Sequence, residues 1–549
     1  MTDGVPDLDD DQRRVVEAYR GMQQGLAVLA SVPGAGKSTV VSKAAAVDLL
    51  DRAAAGDRCP HERVLIASFS RADAADLVPD IVAWINALFE RGDAPAALDR
   101  GDVDRLLTQV REAPRIGTVD SVLRGVCADI VTEMGFDGMP TVGNEALVEQ
   151  LHQDAFDAVR ADEAGARRID RVREAYEDAP AASSVSTVLR EAFTIARRRA
   201  LTPAAFTDQL KTAITANYRG GSVSSLEDVL EAVSAYRDES TAAAIRATVS
   251  DAEATALVEA DEALREDWVA LAETVGELLD HYTAAYDERS RQRGVITHTD
   301  CARLVDTYFS DPAYASPRRE RLKQRYRSVI ESVIIDEAQD VSQLQHDALT
   351  HLVGDEARIL LAGDQDQCIY QWRDATPALF AAALDDGEYF GRTWTPHETE
   401  RAERNYRSRP ALVRLANAAA ERGLGHAARG GLGAVATESP SMTAARSATD
   451  EPSIHVSSFK ARGAPGSDEW VAPDQGRGEA AALARSIASG LTTGRFPSTD
   501  ADAGITVLFP RRRHMEAYAA AFEARGVTVA DASTYLFDAP AVRAVIDVL

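Results

Sequence analysis

Apolar positions along the chain follow two rhythms. Uninterrupted runs, "GLAVLASV" (25–32), "RVLIASFS" (63–70), "SVIIDE" (332–337) and "ARILLAGD" (357–364), each close on polar residues. Runs of this length predict strands buried on both faces. After the first, Pro33-Gly34 breaks the chain and "KSTVVSKAAAVDLL" (37–50) takes up a helical period. Buried strands alternating with helices predict a parallel α/β sheet.

Between about 121 and 294 the texture changes to long helical patterns. Leu257, Leu264, Leu271 and Leu278 recur every seven residues, with Trp268 and Val275 between them. That spacing puts one apolar stripe on a long helix, so an α-helical domain inserted into the α/β domain is expected. Segments 424–452 and 463–478 are rich in Gly, Ala and Ser with little periodicity and read as loops. "GITVLF" (504–509) reads as a further strand, followed by a helix to about 524.

Composition bounds the rest. The 549 residues allow two to four domains, and 45% hydrophobic content suffices for buried cores. No apolar stretch reaches membrane-spanning length, and "MTDGVPDLDDDQRR" lacks the basic start and apolar core of a signal peptide, so a cytoplasmic location is expected with no membrane partner. Cys59, Cys127, Cys301 and Cys368 are scattered, without paired spacing for zinc or an iron–sulfur cluster. A net charge of -27 runs against a nucleic-acid partner until the cations are sorted. Only Lys37, Lys43, Lys211, Lys323 and Lys460 are lysines, against 55 arginines. An acidic, lysine-poor, alanine-rich chain suggests a halophilic source, where surface carboxylate maintains solubility. DNA is therefore not excluded by charge, and short-range contacts would carry its binding.

"SVPGAGKST" (31–39) has the strand–loop–helix setting of a phosphate-binding loop. Amides of Gly34, Ala35 and Gly36, Lys37, Ser38 and Thr39 would face the phosphates of ATP or GTP, with Ser38 on Mg²⁺. Ser31 stands where the strict pattern has its first glycine. "VIIDEAQD" (333–340) delivers carboxylates at the end of a strand, where open α/β sheets bind ligands. Asp336 would orient the magnesium and Glu337 polarise a water. The arginine runs 197–199 and 511–513 read as solvated helix faces, with a phosphate track the alternative for the first.

Further stretches carry a resemblance: "LDDDQRRVV" (8–16), "ASFSRADAADL" (67–77), "GDQDQCIYQWRDA" (363–375) and "ERNYRS" (403–408). Their order and spacing resemble the UvrD/PcrA/Rep family of superfamily 1 DNA helicases. The resemblance implies a RecA-like P-loop NTPase sheet over 1–120 and 295–385, the helical insertion at 121–294, and an incomplete second RecA-like domain at 386–549. It also implies adenine recognition by Gln12 with Tyr406 stacking, γ-phosphate sensing by Gln367, and an arginine finger at Arg407. Single-stranded DNA would meet Tyr370, Trp372 and Arg373, and Phe69 and Arg71 are weaker candidates. Residues two apart in an extended segment share a face 6–7 Å apart, roughly enough to flank a base; packing of both rings in a core is the alternative. In "GTVDSV" (117–122) the family usually has histidine where Asp120 stands, and a carboxylate there would repel phosphate, so that contact is not expected.

The family continues past a stretch like "YLFDAPAVRAVIDVL" (535–549) into two more motifs of the second domain. The expectation is a fragment of a longer frame, or a motor completed by a partner chain. The implied activity is an ATP-dependent helicase or translocase moving 3′ to 5′ in DNA repair or recombination. The alternative is an ATP- and DNA-binding module with little turnover.

Overall fold

The computed structural model describes residues 5–176, 184–217, 230, 239–248, 251–368, 374–429, 442–447, 478–494, 505–508 and 515–529. Contacts divide the chain into two units, Met1–Pro452 and Ser453–Leu549.

The first unit is organised on a six-stranded sheet. Its strands are β1 (Gly25–Ser31), β2 (Val64–Ser68), β3 (Ile116–Thr118), β6 (Ser332–Ile335), β7 (Arg358–Gly363) and β10 (His397–Ala402). Shorter pairs join β4 (Thr141–Val142) to β5 (Val295–Ile296) and β8 (Glu388–Tyr389) to β9 (Arg392–Thr393). The sheet order is β10-β1-β7-β6-β2-β3 and every pairing is parallel. All four expected strands of this unit are present. Their alternate residues serve opposite faces. Leu26, Val28, Leu65, Val333, Ile335 and Leu361 pack under the helices Val119–Ile130, His298–Ser310 and Gln343–Thr350. Ala27, Leu29, Val64, Ile66, Ile334 and Leu360 pack under Asp10–Gly21, Lys37–Ala54 and Arg71–Arg91. Burial on both faces explains why these strands read as continuous apolar runs.

β10, "HETERA", gives no such run because it is the sheet's edge, and its charges blunt that edge against further pairing. Through it the sheet extends to Ala402, past the expected end of the first ATPase domain at 385.

The helical insertion leaves the sheet domain at β4 and returns at β5, and the two strands pair, Thr141 opposite Val295. Its spine is the helix Asp251–Arg293, whose Leu271, Val275 and Leu278 bury against Leu151, Leu189 and Phe193. Residues from Val119 to Phe136 belong to the sheet's core, so the all-helical core begins later than 121. Arg197 is not on a solvated face: it is buried, bonded to both oxygens of Asp287 and, at 3.1 Å, to Asp300. Arg199 and Arg198 approach Asp374 at 3.5 and 3.9 Å.

The helix Pro410–Arg429 runs into the segment 424–452 expected to be loop. In the second unit, Ala480, Ala484 and Ile487 of the helix Glu479–Thr492 pack on Tyr518 and Phe522 of Met515–Glu523. Residues 505–508 carry no strand, contrary to the expected one at 504–509, and Leu508 is exposed. The run 511–513 lies outside the described residues. Among the described residues no helix is long and apolar enough to cross a membrane.

Candidate active site

β1 delivers the chain to a loop in which Gly34 (φ +72°) and Gly36 (φ +80°) are left-handed. A Cβ on Gly34 would lie 2.9 Å from the Arg407 Cβ, and one on Gly36 2.8 Å from Gln12 Nε2. Both positions thus require glycine for conformation and for space. Gly36 precedes the helix Lys37–Ala54 without a side-chain cap, so the first amides of that helix have no side-chain acceptor. Ala35 lies between the two glycines, and Ser38 and Thr39 occupy the first helical turn. Lys37 is buried, its Nζ 3.4 Å from Glu337 Oε2.

β6, two strands away across β7, places Asp336 and Glu337 beside this loop. Burial, then the charge of Glu337, pushes the Asp336 carboxyl up to about 6, while the Ser38 hydroxyl and Lys37 oppose the rise. A buried carboxylate hydrogen-bonded to a hydroxyl is a hard-oxygen pair, which fits magnesium. Glu337 adopts φ +52°. Its Oε2 accepts from Gln339 Nε2 at 2.7 Å, and Gln339 Oε1 accepts from the Asp364 amide at 2.9 Å. Asp364 in turn accepts from Gln367 Nε2. A hydrogen-bonded chain therefore runs from Glu337 to Gln367. Burial raises the Asp364 carboxyl, eased by Gln367.

The segment after β10 closes over the glycine loop. The Val32 amide donates to Ala402 O at 3.0 Å and the Tyr406 amide to Gly34 O at 2.9 Å. Asn405 Nδ2 donates to Pro33 O at 2.7 Å. The Tyr406 hydroxyl donates to Asp9, and burial followed by that contact pushes the phenol up to about 12. Asp9 caps the first helix in a reciprocal pair with Gln12, whose Nε2 donates to Ala35 O at 2.6 Å. Gln12, Gly34, Ala35, Gly36, Lys37, Ser38, Thr39, Asp336, Glu337, Gln367, Tyr406 and Arg407 thus gather at one end of the sheet, with Arg407 exposed. Sequence reasoning missed Asn405 and Gln339. Both are buried amides using donor and acceptor ends, a role with no sequence signature.

Beside this centre, at the same carboxyl ends of the strands, lies a cleft of about 580 Å³. Four helices begin around it: Arg71–Arg91, Val119–Ile130, His298–Ser310 and Gln343–Thr350. Ser70, Thr118, Thr297 and Ser342 are their N-caps. Converging helix N-termini supply positive potential without lysine. Phe69, Arg71, Arg198 and His298 line the cleft, with Arg71 Nη2 3.0 Å from His298 Nε2. Asp120 also lines it, its carboxylate held by Gln345 Nε2 at 2.8 Å. Tyr370, Trp372 and Arg373 lie outside the described residues. The cap hydroxyls and His298 were not anticipated, although the first-turn spacings Ser70–Asp73, Thr297–Asp300 and Ser342–Gln345 were readable.

Comparison with known proteins places the site in a family. The chain is 28% identical to the ATP-dependent DNA helicase Rep of Escherichia coli (strain K12) over 27% of its length and 20% of that protein. It is 28% identical to DNA helicase II of the same organism over 25% of its length and 17% of that protein. It is 31% identical to the ATP-dependent DNA helicase UvrD2 of Mycobacterium bovis over 38% of its length and 24% of that protein. These matches span a quarter or less of each relative. Residues 8–387, which hold the glycine loop, the acidic pair and the cleft, match the UvrD/REP helicase N-terminal domain, and the chain belongs to that family.

Proposed function

We propose that this chain is the ATP-hydrolysing part of a helicase or translocase acting on single-stranded DNA. The observation that carries the reading is the adjacency, at the carboxyl end of one sheet, of the Lys37–Glu337–Asp336 centre and a cleft ringed by helix N-termini and arginine. A triphosphate chain suits the first and a phosphodiester backbone the second.

The residues divide the work. Lys37 leaves Glu337 for the β/γ oxygens, and the loop amides take the remaining phosphate charge. Magnesium held by Ser38 and Asp336 would neutralise charge between the β and γ groups. Glu337, steadied by Gln339, orients the attacking water and takes its proton. Arg407, beside Gly34, is suited to stabilise charge on the transferring group once it turns inward. Gln367 relays the state of the γ-phosphate through Asp364 and Gln339. In the DNA reading, Phe69 and Arg71 meet the strand, and Tyr370, Trp372 and Arg373 extend that contact. Movement from 3′ to 5′ and repair or recombination as the setting are part of this proposal on family grounds.

ATP turnover of the purified chain, measured in concentrated salt with and without oligo-dT, tests it. Stimulation by DNA that disappears in Glu337→Gln supports the motor. Binding of both ligands without turnover would reduce the chain to a binding module, and no binding of either would end the proposal.

A further inference from the structure

We infer that His298 is a positioning residue for DNA binding, holding the Arg71 guanidinium at the place where a backbone phosphate arrives. This inference rests on the reading of the cleft as the DNA path.

The chemistry of the contact fixes its direction. Arg71 Nη2 and His298 Nε2 are 3.0 Å apart. A guanidinium only donates, so Nε2 must accept, which leaves the ring neutral with its proton on Nδ1. That Nδ1 is buried without a hydrogen-bond partner among the described residues, so the ring's polar engagement is with Arg71. The imidazole is delivered from a fixed base. His298 opens its helix; Thr297 and Asp300 cap that helix reciprocally, and the Asp300 carboxylate is also held by buried Arg197 at 3.1 Å. Arg71 opens the facing helix, capped by Ser70. A long arginine side chain loses rotamer freedom when it binds, and a neutral acceptor that restrains it beforehand reduces that loss without cancelling its charge. A carboxylate in the same place would compete with phosphate for the guanidinium. The cleft's own carboxylate, Asp120, is held by Gln345 instead.

Binding of the full chain to fluorescent oligo-dT across a salt series tests this, with ATP affinity measured on the same samples. His298→Ala is expected to weaken DNA binding about tenfold and to flatten the salt slope by roughly the 0.7 of one phosphate contact. Arg71→Ala should do the same, and the double variant should be no weaker than Arg71→Ala alone. His298→Gln, which keeps an acceptor, should recover most of the loss, and ATP affinity should hold in every variant. Additive losses, or a His298→Ala protein that binds like the parent, would overturn the inference while leaving the DNA reading standing. A parent chain that ignores oligo-dT overturns the DNA reading, and this inference with it.

Discussion

The side-chain amide of Asn405 donates to the Pro33 carbonyl at 2.7 Å, joining two loops 372 positions apart. Its Oδ1 accepts from the Ser408 amide, also at 2.7 Å. One buried side chain thus ties the loop bearing Tyr406 and Arg407 to the glycine loop, alongside the backbone bond from the Tyr406 amide to Gly34 O. Asn405→Ala would leave a carbonyl and an amide unpaired, costing about 1–3 kcal/mol. The expected outcome is a fall in kcat for ATP that exceeds the change in ATP affinity, read by steady-state turnover beside equilibrium binding.

Glu337 stands between Lys37 and Gln339. Glu337→Gln removes the carboxylate proposed above to take the proton, and relieves Lys37 of its partner. Turnover should drop about 10²–10⁴-fold while ATP binding is kept or tightened. Single-turnover hydrolysis beside nucleotide titration checks both halves, and an unimpaired rate would remove Glu337 from the chemistry.

Asp336 gives a pH prediction. Its carboxyl sits at about 6 in the folded chain against an ordinary 3.8. A raised folded value means stability that is fully present below 3.8 and lost as pH rises through about 6. At pH 8 without nucleotide the buried charge costs on the order of 2–3 kcal/mol. Asp336→Asn should raise the melting temperature at pH 8, change it little at pH 4, and abolish magnesium-dependent turnover. Asp340, also pushed up to about 6, remains in that variant, so the pH slope should shrink and not vanish.

Arg197 holds Asp287 and Asp300 where the helical insertion meets the sheet domain. Arg197→Ala removes the main partner of buried Asp300 and half-buried Asp287, leaving Arg303 at 3.8 and 3.3 Å from them. Denaturant titration should show a loss of about 3–5 kcal/mol.

Much of the sheet was legible because its signals are local. Each inner strand is covered on both faces, so every residue of "SVII" or "ILLAG" had to suit a buried place, and the runs stood out. The glycine loop was legible because left-handed backbone at Gly34 and Gly36 admits little else. β10 was not, since an edge strand keeps a polar face and "HETERA" resembles a surface turn. The same limit applied to Arg197, which sits in sequence beside the less buried Arg198 and Arg199 while its own partners come from other helices.

The sequence by itself determined which chemistry the chain could hold: a lysine after a glycine turn, an acidic pair at a strand end, and the residue types that suit phosphate and bases. Tertiary structure alone decided which groups meet. It brought Asn405 to Pro33, linked Glu337 to Gln367 through Gln339 and Asp364, and set His298 against Arg71 where four helices begin. The reason is physical: propensity and burial act on neighbours in the chain, whereas a hydrogen bond between distant residues exists only after the sheet order has put their strands side by side.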